Sequence, residues 1–127
     1  DITAVTILTS LSEEDLFEIG YANHALESAV ALADLAVRAG ARAIVSSPLE
    51  ISAIRSAVGP NPFIITPGVR PEGTAGSDDQ IRVMTPAAAI NAGASYVVIG
   101  RPITGAWSEG AAAMSAAAAK IAESIQV

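Results

Sequence analysis

Gly100 and Arg101 are the pair of residues in this chain best suited to hold an anion. They follow Tyr96–Ile99, a short apolar run rich in β-branched residues, and an alanine-rich helical segment comes after them. Glycine lets a ligand approach the backbone, and arginine offers a permanently charged, rigid fork that fits a phosphate. A strand, a Gly-Arg pair and a helix in this order are typical of an anion site in an α/β protein. The alternative is that the glycine only forms a turn and the arginine is a solvated surface residue.

A second arginine, Arg70, also follows a predicted strand, Phe63–Thr66, within a few residues. Thr9 and Ser10 come after the first predicted strand, and they either donate hydrogen bonds to a ligand or only terminate that strand. The other cations are expected on or beside helix ends and outer helix surfaces, where they complement helix dipoles and solvent. These cations are Arg38, Arg42, Arg55 and Lys120.

Groups for acid–base or nucleophilic chemistry are few. Lys120 is the only lysine and lies late in the last helical segment, so no lysine follows a strand as a proton donor. The only histidine, His24, has no carboxylate or nucleophile placed to orient it, and we expect it simply to lie near a helix start. Asp78 and Asp79 are adjacent in a loop rich in glycine and serine, where solvated carboxylates are commoner than a metal or acid pair.

The composition indicates one domain spanning residues 1–127 with an aliphatic, alanine-rich core, since 51% of the residues are hydrophobic and 4% aromatic. No apolar run reaches the roughly 18 residues of a membrane span, and no signal peptide is expected. Because the sequence has no cysteine and one histidine, we expect no disulfide, no metal, no cofactor and a cytoplasmic location. The formal charge of −6 argues against nucleic acid or an anionic membrane as partner.

Four strands are predicted to alternate with helices along the whole chain. The strands are Ile2–Leu8, Ala43–Val45, Phe63–Thr66 and Tyr96–Ile99, the last of them buried on both faces. Helices are predicted from a Ser12/Asp15 cap to Gly20, from Leu26 to Ala39, from Glu50 to Val58, from a Thr85-Pro86 start to Gly93, and from Glu109 to Ile125. In the second helix, Leu26, Val30, Ala33 and Val37 form the stripe that is expected to face the sheet.

Every connection is long enough for a parallel crossover, so the pattern predicts an α/β fold of the (βα)₄ type. An open parallel sheet of four strands leaves two apolar edge strands unpaired, and such edges promote association. Half of a (βα)₈ barrel has this property. If these are strands five to eight of a barrel, Arg70 and Arg101 lie in the loops after strands seven and eight, where barrels commonly bind phosphate. We therefore expect a homodimer or association with an N-terminal half-barrel.

Five sequence motifs resemble bacterial orotidine 5′-phosphate decarboxylases, in the order and at nearly the spacing of that family. They are AVTILTS at residues 4–10, SPLE at 47–50, TPGVRP at 66–71, DDQIRVMTP at 78–86 and VIGRPIT at 98–104. The resemblance covers essentially the whole chain but only the C-terminal half of that enzyme. It implies half of a TIM barrel, strands five to eight, from a lyase of pyrimidine biosynthesis that converts orotidylate to uridylate.

The resemblance also implies binding roles. Arg70, Gln80, Gly100 and Arg101 would grip the 5′-phosphate of a pyrimidine nucleotide, a place that inorganic phosphate or sulfate would also fit. Thr9 would contact the nucleotide, and Ser10 and Pro67 would line the pyrimidine. Arg82 lies beside this site without inheriting a role.

The sequence departs from the family at its catalytic centre. The family uses an alternating Lys/Asp array with an Asp-x-Lys-x-x-Asp motif, and this sequence has no Asp-x-Lys. We therefore assign no catalytic residue and predict that the chain alone does not decarboxylate. Three alternatives stay open: an engineered or excised half-barrel, one piece of a two-chain or cleaved enzyme, or a self-assembling structural module without ligand function.

Overall fold

The framework of the molecule is a parallel sheet whose four strands follow one another in space as they do in sequence. The computed structural model describes residues 1–71 and 84–125. Its strands are β1 (Thr3–Val5), β2 (Ala43–Val45), β3 (Phe63–Thr66) and β4 (Tyr96–Val97), in the order β1-β2-β3-β4. All three neighbouring pairs are parallel, which confirms the α/β fold and the (βα)₄ order expected from the sequence.

Six α-helices lie in the described residues. They are α1 (Glu13–Glu18), α2 (Ala25–Arg38), α3 (Ile51–Val58), α4 (Pro86–Asn91), α5 (Arg101–Thr104) and α6 (Ala111–Ile125), and short 3₁₀ turns span Pro48–Glu50 and Gly105–Glu109. None of the helices in these ranges is long and apolar enough to cross a membrane.

The core lies between one face of the sheet and the helices. Ala4, Ile44 and Ile64 are aligned across β1, β2 and β3, and the two isoleucines are fully buried. They pack in one cluster with the buried side chains of α2 and α3, including Ala29 and Ile54. Burial of an isoleucine side chain stabilises a fold by about 1.5–3 kcal/mol, so this covered face holds the four strands and their helices together.

The opposite face of the sheet is open. We call this side of the sheet the open face. Its large apolar side chains are Val5, Val45, Phe63, Ile65, Tyr96 and Val98, and the smaller Thr3 and Ala43 lie on the same side. Val5 is 56%, Tyr96 55%, Val98 51% and Phe63 46% exposed, and the rings of Phe63 and Tyr96 lie 5.7 Å apart between centroids. The prediction that the last strand is buried on both faces is therefore wrong, because the described helices cover only one face of the sheet.

Helix α1 begins as predicted. Ser12 and Asp15 form a reciprocal capping box, in which the Asp15 amide donates to Ser12 Oγ at 3.2 Å and the Ser12 amide donates to Asp15 Oδ2 at 2.7 Å. Hydrogen bonds from the side chain and the backbone of Ser12 hold the pKa of Asp15 below its ordinary value of 3.8.

Helix α2 turns a different face to the sheet from the one that the spacing indicated. Ala25, Ala29 and Ala33 are buried, whereas Leu26 is 43% exposed. The small alanines let the helix approach its neighbours closely, and Leu26 lies instead in an outer groove beside Ala53 and Ala57 of α3. Within the predicted stripe, Ala33 is correctly placed in the core, and Val30 and Val37 pack against it while partly exposed.

The two edge strands are shorter than predicted, and the last helix has a different start. Strand β1 ends at Val5, after which the Thr6 amide and hydroxyl both donate to the Val45 carbonyl, at 3.1 and 2.9 Å. Strand β4 ends at Val97, opposite Thr66, the last residue of its partner β3, and the Val98 amide still donates to the Thr66 carbonyl at 2.9 Å. Helix α5 and the turn Gly105–Glu109 were not predicted, and α6 begins at Ala111.

Arg55 is a structural connector and not the solvated side chain that we expected. Its guanidinium donates to the carbonyls of Gly59, Pro62 and Gly93 at 3.0, 2.7 and 2.9 Å, and to Ser95 Oγ at 3.3 Å. The four acceptors lie in the loops that lead into β3 and β4. Arg55 therefore fixes these loops at the amino end of the sheet, away from the predicted ligand site.

Candidate anion-binding site

Two arginines occupy equivalent positions beyond neighbouring strands. Strand β3 ends at Thr66 and β4 at Val97, so Arg70 and Arg101 each come four residues after the end of a strand. Because β3 and β4 are hydrogen-bonded and parallel, both arginines belong to the carboxyl edge of the sheet. Arg70 is half-buried and Arg101 is exposed. This arrangement brings two permanent positive charges to adjacent loops.

Gly100 separates β4 from α5 and leaves its surroundings open. A Cβ atom built on Gly100 would meet nothing within 4 Å, so the described protein does not itself occupy the space beside this backbone. The Gly100 carbonyl accepts hydrogen bonds from the amides of Ile103 and Thr104 at 2.9 and 3.0 Å, which fixes the short helix that begins with Arg101. The exposed backbone of Gly100 is thus available to a group that approaches closely.

The segment that carries Arg70 is anchored at its backbone. Pro67 is half-buried directly after β3, and Gly68 turns the chain with a φ of +78°. Val69, 2% exposed, forms a parallel bridge with Met84, and the Arg70 amide donates to the Met84 carbonyl at 2.9 Å. The position of the Arg70 backbone is therefore fixed by its contacts with Met84.

Thr9 and Ser10 follow the carboxyl end of β1, which is the edge strand on the opposite side of the sheet from β4. The Leu11 amide donates to the Leu8 carbonyl at 3.1 Å and closes a turn around them, in which Thr9 is buried and Ser10 exposed. Strand β1 is separated from β3 by β2, a distance of roughly 10 Å at the usual strand spacing. Pro67 and Arg70 therefore follow β3, and Gly100 and Arg101 follow its neighbour β4, whereas Thr9 and Ser10 follow β1 on the other side of β2. Gln80, Arg82, Asp78 and Asp79 lie outside the described residues.

Buried polar side chains at the same edge of the sheet were not singled out from the sequence. The hydroxyl oxygens of Ser46, after β2, and of Thr66, at the end of β3, are buried and have no hydrogen-bond partner among the described residues. Glu50 is also buried, and its carboxylate accepts the Ser47 amide at 3.1 Å. Burial of a polar group without a hydrogen bond is costly, so buried hydroxyls without a protein partner are uncommon in native structures. Small polar residues directly after apolar strands are the signal that could have found them.

His24 has a carboxylate neighbour, contrary to our expectation. Its Nδ1 lies 3.1 Å from Glu13 Oε2, and the same carboxylate accepts the Ala25 amide at 3.2 Å. His24 is the residue before α2, as predicted, and its ring packs edge-on against Phe17 at 5.5 Å. The pair is exposed, and the Glu13 carboxylate caps the start of α2 while it contacts the His24 ring, so the pair has a structural role.

A cavity of about 430 Å³ lies between α4 and α6, outside the predicted site. Its lining includes Pro71 and Pro102, the residues that follow the two arginines, together with Thr85, Lys120 and Ile121. None of the predicted site residues that the structure describes lines it. Lys120, at its rim, is exposed and lies far along the chain from any strand end.

No group of three or more histidine, aspartate and glutamate side chains that could hold a metal ion occurs within residues 1–71 and 84–125.

Comparison with known proteins gives a consistent result. The sequence model of the orotidine 5′-phosphate decarboxylase / HUMPS family matches residues 1–116. The orotidine 5′-phosphate decarboxylase of Thermobifida fusca is 55% identical over 117 residues, which are 92% of this chain and 50% of that protein. That of Anaeromyxobacter sp. is 50% identical over 117 residues, 92% of this chain and 51% of that protein. The chain thus spans about half the length of these relatives.

Solved structures show the same relation. A crystal structure of orotidine 5′-phosphate decarboxylase from Lactobacillus acidophilus superposes with a TM-score of 0.74 and 33% identity, over 98% of this chain and 49% of that one. An uncharacterised conserved protein from Geobacillus kaustophilus gives a TM-score of 0.73 at 26% identity, over 98% and 48%. The four parallel βα units therefore correspond to half of such a fold, consistent with half of a TIM barrel.

Proposed function

Since the chain belongs to the orotidine 5′-phosphate decarboxylase / HUMPS family, we propose that it binds the 5′-phosphate of a pyrimidine nucleotide at the carboxyl ends of β3 and β4. Arg70 and Arg101 supply the positive charge, and Gly100 lets the phosphate reach the backbone. Inorganic phosphate or sulfate binds at the same place. The family acts in pyrimidine biosynthesis, and we place this chain in that process in the cytoplasm.

The observation that carries the proposal is the equivalent placement of the two arginines. Each comes four residues beyond its strand, and the strands are neighbours in the sheet. Two guanidinium groups on adjacent loops can share the oxygens of one phosphate, with up to two parallel hydrogen bonds from each. A single solvated arginine would provide only one guanidinium group for the phosphate. The open space beside Gly100 supports the same location.

The rest of the nucleotide extends from the phosphate toward β1. Thr9 contacts the nucleotide, and Ser10 and Pro67 line the pyrimidine, while Gln80 joins the phosphate site. The separation of Thr9 and Ser10 from the arginines across the sheet supports an elongated ligand with the phosphate at one end and the base at the other.

Decarboxylation by this chain alone is not part of the proposal. The sequence contains no Asp-x-Lys, and Lys120 belongs to α6 rather than to a strand end. In a complete enzyme, binding energy from phosphate contacts helps to hold the substrate at the reacting carbon. Here the same contacts give binding without turnover, and an N-terminal half-barrel is the partner that would bring the missing Lys/Asp array.

A second candidate function is a structural half-barrel that associates without binding a ligand. The open face favours it, because four large apolar side chains are about half exposed on one side of the sheet, and such surfaces mark interaction sites. The two candidates are distinguished by whether the isolated chain binds a nucleotide.

The test is a calorimetric titration of uridine monophosphate and of inorganic phosphate into wild type, Arg70→Ala and Arg101→Ala. We expect each arginine variant to weaken uridine monophosphate binding by about 10- to 100-fold, because a charged hydrogen bond contributes roughly 1.5–3 kcal/mol. Arg38→Ala is the matched control, since Arg38 pairs with Asp34 on the surface of α2, and it should bind like wild type. Equal affinities for all four proteins, or no binding by wild type, would exclude the phosphate site.

A further inference from the structure

We propose that, where no further βα units are present, the open face and both edge strands are covered by a second copy of this chain, with β4 of each copy pairing with β1 of the other. This inference concerns assembly and does not depend on nucleotide binding. Its basis is the topology of the sheet, the chemistry of the open face and the length of the chain relative to its structural relatives.

The topology of the sheet permits closure by one symmetry operation. Strands β1 and β4 are the two ends of an all-parallel sheet, and no strand within residues 1–71 and 84–125 pairs with their outer edges. A twofold axis parallel to the strands brings β4 of one copy beside β1 of the other, and the reverse, with every strand still parallel. The eight strands then form a closed ring, and closure is what removes unpaired edges from a sheet.

The open face is apolar and uncharged, which suits contact with a second copy of the same chain. Its members carry no ionisable group at neutral pH, and they include four aliphatic side chains and a contacting Phe63–Tyr96 pair. The chain as a whole has a formal charge of −6, so two copies repel each other over much of their remaining surface. Contact through an uncharged face is the arrangement that combines apolar burial with the least repulsion.

A second copy fits this surface better than a helix or peptide does. A helix docked on the open face would cover Val5 and Tyr96 but would leave the backbone groups of both edge strands unpaired. A strand added to one edge would leave the other edge and the face exposed. A solved relative that superposes on 98% of this chain uses 49% of its own length to do so, so two copies provide the amount of chain that such a fold contains.

The first part of the test is the mass of the wild-type chain in solution, by sedimentation velocity and light scattering. We expect a discrete dimer at about 100 μM, because specific protein interfaces of standard size have dissociation constants in the micromolar range or below. Hydrogen exchange across Thr3–Val5 and Tyr96–Val97 should slow as the concentration rises. A monomer at this concentration, or a size that grows continuously with concentration as in an open-ended polymer, would overturn the proposal.

The second part uses matched charge substitutions. Val5→Asp places a carboxylate on the open face and Leu35→Asp places one on α2, and both parent side chains are 56% exposed. We expect Val5→Asp to be a monomer and Leu35→Asp to remain a dimer, with unchanged circular dichroism for both. Tyr96→Asp, at the opposite edge, should reproduce the effect of Val5→Asp. Dissociation by Leu35→Asp but not by the two open-face variants would show that the copies associate through the helices.

Discussion

At the scale of single residues, the arginines have different roles that depend on their positions in the fold. Arg55 donates to four acceptors at the amino end of the sheet, whereas Arg70 and Arg101 lie at its carboxyl edge. Sequence reasoning recognised the second pair because each follows an apolar strand. It missed Arg55 because the acceptors are as many as 40 residues away in the chain, and no local pattern reports such a contact.

Replacement of Arg55 by alanine should destabilise the protein by about 3 kcal/mol, because several charge-assisted hydrogen bonds are lost and the loop carbonyls lose their donor. Urea unfolding measures the change. Arg42→Ala is the control, since Arg42 is exposed and lies 3.9 Å from Asp1, and surface ion pairs contribute about 0–1 kcal/mol. A loss for Arg55→Ala no larger than that for Arg42→Ala would show that these bonds do not hold the loops.

At the scale of elements, local sequence signals were sufficient where an element is defined by its own residues. Strands β2 and β3 have the predicted bounds, and the Ser12/Asp15 cap and the Thr85-Pro86 start are in place. The predictions were wrong where the length of a strand depends on the strand beside it. Strands β1 and β4 end where their partners end.

Three further features could not be predicted from local sequence: the buried side of α2, the helix that follows Gly100, and the burial of two hydroxyl groups. The buried side of α2 is set by how closely its alanines approach the sheet, which the spacing of larger residues does not reveal. Helix α5 has four residues, too few for an apolar periodicity to be visible in the sequence. The buried hydroxyls of Ser46 and Thr66 depend on which strands are adjacent, which is a property of the assembled sheet.

The capping box of α1 should weaken in acid. The pKa of Asp15 is lowered by hydrogen bonds from Ser12, so the carboxylate stabilises the folded helix above its ordinary pKa of 3.8 and loses that contribution as the pH falls through the lowered value. Amide exchange of α1, followed by NMR between neutral and acidic pH, should show increased fraying in acid. Asp15→Asn should remove this pH dependence and Glu14→Gln should retain it. Titration of Asp15 above its ordinary pKa would contradict the assignment.

At the scale of the whole molecule, helices cover one face of the sheet and leave the other face exposed. The covered face supplies the core, and the open face and the two edges are the surfaces through which we propose that a second copy binds. This division accounts for a chain that spans half the length of its relatives and still packs a continuous set of buried residues. The family resemblance anticipated the half-barrel. The exposed fraction of each strand residue became known only from the arrangement of the helices.

Adjacent isoleucines in β3 test this division. Ile64 is fully buried on the covered face, so Ile64→Ala should lower the free energy of unfolding by about 3 kcal/mol. Ile65 is half-buried on the open face, and Ile65→Ala should cost the monomer only about 1 kcal/mol while weakening association. Urea unfolding at low protein concentration and sedimentation at high concentration separate the two effects. Equal losses of monomer stability would contradict a one-sided core.

The location of the core between the sheet and its helices has an evolutionary consequence. Because Ile44, Ile64 and the α2 alanines find their neighbours within four consecutive units, a gene encoding such a segment can be copied, fused to another or separated again without redesign of its interior. What changes in each event is the open face of the sheet and the loops at its carboxyl edge. New chemistry can then arise from the joining of two such segments, each of which brings its own set of core contacts.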